Sequence, residues 1–420
     1  MRTGPRPTGP RLAWLDALRG YAAVVVALFH LSPVVLGSPR HLDVYRQFDL
    51  GKYGVLLFFL VSGYVIPMSL ERHGSLRRFW IGRIFRIYPA YLFTIVIAFG
   101  LAAAGLYRLP EQVGTETTTT VLGHATMLVD LLGVRGIVRP FWTLSFEMLF
   151  YLVVAGLFAW RWHRASAWWA AGLTIVALAG GGLPGDLLGA TAGQRRITAA
   201  VVAVLMAVSF SAYLMGRLRL APVAGALGIC LVFLVVANGH ATHFVTSASS
   251  AQAALMLAVM FAGTVIHRVQ HRQIGRFGAV AALMLVFAGV ALHQWAGTGT
   301  GLLRWTVMAG AVSGTFAIAF ALRHRRVPVV LTWLGAVSYS LYLLHLLVLG
   351  LAVRLSGDPA IIVAAFAGGT LSVAWLAHRW VELPGQALGR RIGERFPVIN
   401  IATQGGTPRT SGFGKQRESV

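Results

Sequence analysis

Residues 12–36 read LAWLDALRGYAAVVVALFHLSPVVL. That run of Leu, Val and Ala is long enough to cross a bilayer core, which takes about 20 apolar residues as a helix. It nevertheless carries Asp16, Arg19 and His30. Charge at membrane depth costs several kcal/mol unless it faces a partner or a polar cavity, so these residues constrain both fold and chemistry. Arg19 and His30 are eleven positions apart, about three turns, and share one helix face at a separation of roughly 16 Å. Asp16 precedes Arg19 by three positions and lies close enough to pair with it. Structural roles are also open to them: Arg19 can snorkel to headgroups with Asp16 as partner, and His30 can sit at an interface before Ser32-Pro33.

Comparable apolar runs recur at roughly 54–70, 87–106, 141–160, 166–183, 197–215, 221–237, 250–267, 277–294, 304–322, 332–354 and 359–378. A weaker one at 121–134 reads as re-entrant or peripheral. With 57% hydrophobic residues and a mean hydropathy of +0.71, the chain lies outside the soluble globular range. The expected fold is all-α: a polytopic transmembrane helical bundle of ten to twelve spans. A net charge of +23 suggests nucleic acid in a soluble protein. Here most of the basic residues fall in segments 71–86, 161–165, 216–220, 268–276 and 323–331 and after 378, which share one side. That bias follows the positive-inside rule and places both termini in the cytoplasm of a cell whose plasma membrane holds the protein, with no nucleic-acid partner. Residues 1–11 form a basic leader, 12–385 the membrane domain, and 386–420 a polar tail of disorder-prone composition. The single cysteine, Cys230, excludes an intramolecular disulfide and a Cys-rich metal site; its apolar surroundings predict a packed core thiol. No internal repeat is visible, which weakens a transporter built from inverted halves.

Within the second run, Ser62-Gly63 permits close approach of another backbone. Next comes ERHGSLRRFWIGRIFRIYPAYL, with Arg72, Arg77, Arg78, Arg83 and Arg86. Guanidinium groups suit bidentate phosphate binding, so an anionic cytosolic ligand and anionic lipid headgroups are both open readings. The stretch RPFWTLSFEMLFYL holds Glu147, with Tyr151 one turn later, at a depth comparable to His30. Tyr339, Tyr342 and His345 fall at three-residue steps in a later run, and HRWVELP puts Glu382 and Pro384 at the cytoplasmic border. His240 and His243 form a weak HxxH pair without a third ligand, and no metal site is expected. No phosphate loop, dinucleotide fingerprint or nucleophile elbow is present.

Six segments in series resemble the acyltransferase 3 family of integral-membrane, acyl-CoA-dependent O-acyltransferases. They are LDALRG…H (15–30), GVLLFFLVSGYVI (54–66), RRFWIGRIFRIYPAY (77–91), WTLSFEMLFYL (142–152), LGAVSYSLYLLH (334–345) and VELP (381–384). The resemblance implies ten core helices, acyl-CoA (acetyl-CoA foremost) as co-substrate without a permanently bound cofactor, and a hydroxyl-bearing acceptor. Glycan-modifying members usually carry Asp after Gly-Val, where this chain has Leu56. The stretch is thus more similar to actinobacterial members that acylate macrolides or other secondary metabolites, with a cell-envelope glycan as the other acceptor class. Acyl transfer needs a base, oxyanion stabilisation and a donor site. The roles expected are His30 as base, Glu147 orienting it, Arg19 on the donor side, and Arg77, Arg78, Arg83 and Arg86 on the CoA phosphates. Asp16, Trp142, Ser145, Tyr342 and His345 are expected around them. Direct transfer and an acyl-histidine intermediate are both open, as is oligomerisation. The rival reading is a proton-coupled transporter or flippase with Arg19, His30 and Glu147 as its relay.

Overall fold

The computed structural model describes residues 13–216, 218–239, 249–298 and 301–396. The leader, His240, His243 and residues 397–420 lie outside the described residues. In chain order the helices are α1 (Ala13–Leu36), α2 (Ser38–Gln47), α3 (Leu50–His73), α4 (Leu76–Ala103), α5 (Gln112–Thr115), α6 (Thr117–Thr126), α7 (Trp142–Ala159), α8 (Ser166–Ala179) and α9 (Ala192–Met215). They continue as α10 (Ala221–Cys230), α11 (Phe233–Asn238), α12 (Ser250–Gln270), α13 (Arg276–Thr298), α14 (Leu302–Ala321), α15 (Val329–Leu355), α16 (Pro359–Ala377) and α17 (Leu383–Glu394). Several begin where a side chain satisfies the free N–H groups of the first turn. Asp49 accepts from Lys52 N at 2.8 Å, Ser249 accepts from Gln252 N at 3.1 Å, and Thr191 forms a capping box with Gln194.

The protein is an all-α polytopic bundle. Among the described residues, 11 helical stretches are long and apolar enough to cross a membrane, inside the expected ten to twelve. α10 and α11 form one of them, and the 36-residue stretch Pro359–Glu394 is another. That last stretch stays continuous through a π-helical turn at His378–Glu382. Residues 386–394, which composition assigned to a polar tail, therefore extend a helix, and it packs on α4 through Gly389 and Phe85. The run at 166–183 yields only the 14-residue α8, and 121–134 yields α6 and a 3-10 turn rather than a span.

Two glycine contacts set the core. An added Cβ on Gly63 would stand 1.7 Å from Met260 O, and one on Gly263 would stand 2.1 Å from Leu60 O. α3 and α12 thus cross with their backbones nearly touching, as small residues allow in membranes. Thr264 Oγ1 donates to Gly63 O at 2.8 Å across the crossing. α1 meets α15 in the same way: Gly20 faces Gly335 N at 2.6 Å, and Gly335 faces Asp16 O at 2.2 Å, again for an added Cβ. α7 and α12 run through the centre, buried on almost every side.

Residues 127–141 fold back into the bundle, with Leu128, Leu131, Leu132, Val138 and Phe141 fully enclosed. Non-helical backbone at such depth needs internal partners. Asp130 N donates to Ser145 Oγ at 3.1 Å, Asn238 Nδ2 to Leu131 O at 2.7 Å, and Ile137 N to His124 Nε2 at 3.3 Å. Cys230 departs from expectation. α10 buries Ala221, Ala224, Gly225 and Gly228, a face at i, i+3, i+4 and i+7. Two residues past Gly228, the thiol points to the opposite side and is exposed.

Candidate active site

The crossing of Gly20 with Gly335 determines what happens farther along α1 and α15. His30 lies ten residues beyond Gly20, and His345 ten residues beyond Gly335. Two helices running in parallel therefore carry both imidazoles to one level, about 15 Å from the crossing. There His345 Nε2 lies 3.1 Å from His30 Nδ1. His345 Nδ1 is 2.8 Å from Tyr342 O, and His30 Nδ1 is 3.0 Å from Val26 O. A carbonyl only accepts, so for neutral rings each Nδ1 carries the proton. His345 Nε2 then holds a lone pair and accepts from His30 Nδ1–H, which it shares with Val26 O. His30 Nε2 is left unprotonated, as a base requires.

His30 lines a cavity of about 540 Å³. Phe29, Tyr45, Trp142 and Tyr342 supply aromatic surface to its walls, and His41, Asp49, Lys52 and Arg139 supply polar groups. α2 lies over one side, tied to α1 by Ser32 Oγ and His41 Nδ1 at 2.8 Å. Arg139 and Pro140 arrive from the folded-back segment, which explains why that segment penetrates the bundle. Tyr342 Oη and Thr143 Oγ1 share a hydrogen bond of 3.0 Å.

Arg19, three turns away on α1, occupies a second polar region. It is buried, and its Nε has no hydrogen-bond partner among the described residues. Its guanidinium carbon sits 5.4 Å from the Phe58 ring centroid. Asp16, Arg86, Glu147 and Tyr151 are within electrostatic reach. Arg83, also buried, lies 5.1 Å above the Tyr151 ring and 5.4 Å above Phe79, and Tyr151 donates a short hydrogen bond to Glu147. Three guanidinium groups thus meet two carboxylates in the bundle interior. A buried cation without full compensation is costly, and in this region the guanidinium groups outnumber the carboxylates.

The structure brings together Arg19, Arg83, Arg86, Glu147 and Asp16 at one level, and His30, His345, Tyr342 and Trp142 at the other. Glu147 does not orient His30. α7 runs antiparallel to α1, and five residues past Trp142 the carboxylate has descended about 7.5 Å toward Arg19; His345 takes the place expected of it. Arg77 and Arg78 stand apart from Arg83 and Arg86. Arg77 donates to Leu214 O and lies 4.4 Å over the Phe396 ring, while Arg78 Nη2 donates to Phe396 O at 3.2 Å. Ser145 is engaged by Asp130 N rather than open to a substrate. Sequence reading missed His41, Asp49, Lys52 and Arg139, none of which sits inside a strongly apolar run with a polar anomaly. It also missed the partners of Glu382, which accepts from Ser340 N at 3.1 Å and lies 3.0 Å from His378 Nδ1. Among the described residues no cluster of metal-ligating side chains occurs.

Residues 12–186 match the family described as acyltransferase domain. The chain is 29% identical over 187 residues to the acyltransferase MdmB of Streptomyces mycarofaciens, covering 41% of this chain and 46% of that protein. It is 31% identical over 171 residues to nodulation protein 10 of Rhizobium leguminosarum bv. viciae, covering 36% of this chain and 46% of the relative. The chain thus spans about half the length of these curated relatives. No solved structure matches it. The matched region contains Asp16, Arg19, His30, Arg83, Arg86 and Glu147, and the family whose model matches residues 12–186 is the one that the motifs resemble.

Proposed function

We propose that this chain is an integral-membrane O-acyltransferase that moves a short acyl group from acyl-CoA to a hydroxyl of a glycosylated acceptor, in a bacterial plasma membrane. The observation that carries the reading is His30 Nε2, left as a free base by the hydrogen bonds on Nδ1 and bordering a roomy cavity. The acceptor hydroxyl enters this cavity and gives its proton to Nε2 while its oxygen attacks the thioester carbonyl. The new C–O bond forms, the C–S bond breaks, and the proton on His30 passes to the leaving thiolate. During that interval the imidazolium is stabilised through Nδ1–H by Val26 O and the lone pair of His345. The aromatic walls and charged groups of the cavity suit an acceptor with both apolar ring faces and hydroxyl groups, such as a glycosylated metabolite or an envelope glycan. Arg19, Arg83 and Arg86 receive the anionic donor from the other level.

The test is thiol release from acetyl-CoA, with mass-spectrometric detection of the ester, by protein purified in detergent and given glycosylated acceptors. His30→Ala and Arg19→Ala are expected to lose at least a hundredfold in rate, in line with loss of a general base, with insertion and yield unchanged. Arg83→Ala is expected to raise the KM for acyl-CoA. Full activity in the His30 variant would overturn the assignment, and a wild-type protein that consumes no acyl-CoA would favour a transporter.

A further inference from the structure

The two polar regions on α1 are separated by an apolar layer that holds a small void. Beside the His30 cavity, and sharing Val26, Val55 and Tyr342 with it, is a void of about 10 Å³. That is room for one water- or methyl-sized group. Its walls include the small residues Ala22, Ala23 and Gly54, and it ends at Phe58. The Phe58 ring lies parallel to that of Tyr342, with an interplanar angle of 6° and centroids 6.2 Å apart. Arg19 sits over Phe58. Phe58 therefore lies between the two regions, with Arg19 over its ring and Tyr342, a wall of the His30 cavity, stacked on it. It also keeps accessible surface while its neighbours Leu57 and Phe59 are wholly buried, as expected for a ring bordering an interior space.

We infer that the stacked Phe58–Tyr342 pair is the size filter for the acyl group, admitting the methyl of an acetyl group and selecting against longer chains. The inference rests on the acyl-transfer reading above and adds the residues that set donor selectivity. On this reading a thioester presented from the Arg19 level meets His30 past this ring pair, and its acyl tail lodges where the void is. Tyr342 cannot swing aside freely, because its hydroxyl is held by Thr143. Phe58 has no polar tether and is the adjustable wall. Gly54 also keeps α1 close at the void: an added Cβ there would stand 2.7 Å from Val26 Cγ2, so a larger residue would crowd this wall.

The experiment measures kcat/KM for acetyl-, propionyl-, butyryl- and hexanoyl-CoA with the full-length protein in detergent, for wild type and for Phe58→Leu, Phe58→Ala and Phe58→Trp. The quantity read is the ratio of hexanoyl to acetyl turnover, which cancels any general loss because both donors use the same Arg19 and His30. Wild type is expected to fall at least tenfold from acetyl to butyryl. Phe58→Ala is expected to raise the hexanoyl-to-acetyl ratio at least tenfold and Phe58→Leu by less, while Phe58→Trp lowers the propionyl-to-acetyl ratio. Ratios within twofold of wild type in all three variants overturn the filter while leaving acyl transfer intact. A wild type that transfers no acyl group from any thioester instead overturns the underlying reading, and this one with it.

Discussion

At the scale of single residues, the unusual feature is a histidine oriented by another histidine. A neutral imidazole accepts one hydrogen bond and carries no charge, so His345 fixes the tautomer of His30 without adding the electrostatic pull of a carboxylate. It also separates positioning from charge, because Glu147 lies at the Arg19 level with Tyr151 as its hydrogen-bond donor. Replacing His345 with Phe removes the acceptor and leaves His30 Nδ1–H to Val26 O alone. The expected outcome is a fall in kcat of roughly tenfold to a hundredfold, a part of the roughly 10²–10⁴-fold that general acid–base catalysis supplies, with KM for both substrates changed less than threefold. His345→Gln, whose side-chain oxygen can accept, should recover part of the loss. Steady-state kinetics on the three proteins decides this, and a KM effect without a kcat effect would mean that His345 serves binding instead. The Arg19–His30 spacing was legible in the sequence because helical periodicity fixes both a face and a distance. The partner of His30 was not, since matching depths of Glu147 and His30 say nothing about the direction in which α7 runs.

At the scale of elements, close helix crossings do the positioning. Gly20 against Gly335 and Gly63 against Gly263 bring α1, α3, α12 and α15 together, and the folded-back segment 127–141 then closes the space beside α7. His124 secures that segment. Ile137 N–H donates to its Nε2, so Nδ1 carries the proton and donates to Tyr91 Oη, 2.6 Å away. Protonation would place a second N–H against Ile137 N–H, and burial alone already lowers the imidazole to about 4 from its ordinary 6.5. The unfolded chain therefore binds a proton more readily than the folded one between those values, and stability rises with pH across that window. This contribution is fully present above about pH 6.5 and is lost as pH falls toward 4. It amounts to on the order of 3 kcal/mol, at 1.36 kcal/mol per unit. Thermal melts of the detergent-solubilised protein from pH 7.5 to 4 should show that decline. In His124→Phe, melting should begin lower at pH 7 and change less with pH, and parallel curves for the two proteins would remove His124 as the cause.

At the scale of the whole molecule, the protein presents two polar regions at two levels of one apolar bundle, with a methyl-sized void beside the His30 cavity on the side toward Arg19. The span architecture was legible because length and hydropathy alone mark a membrane helix. What was not legible is how the weaker segments resolve: 166–183 shortens to α8, 359–378 lengthens through a π-helical turn into α17, and 127–141 turns inward to deliver Arg139. Each outcome depends on tertiary partners such as Asn238, Ser145 and Phe85 that lie far away in sequence. The two-level arrangement makes a demand on topology. α3 crosses the bundle between His41, at the mouth of the His30 cavity, and Arg72, at its opposite end, so those two positions must face opposite sides of the membrane. Because Cys230 is the only cysteine, Cys230→Ser provides a thiol-free background in which His41→Cys and Arg72→Cys can be tested one at a time. Arg72 is exposed and His41 half-buried. A membrane-impermeant maleimide applied to intact cells is expected to label position 41 and spare position 72, with the pattern reversed in inside-out vesicles, as the arginine-rich start of α4 requires under the positive-inside rule. Labelling of both positions from one side would remove the two-sided route for donor and acceptor.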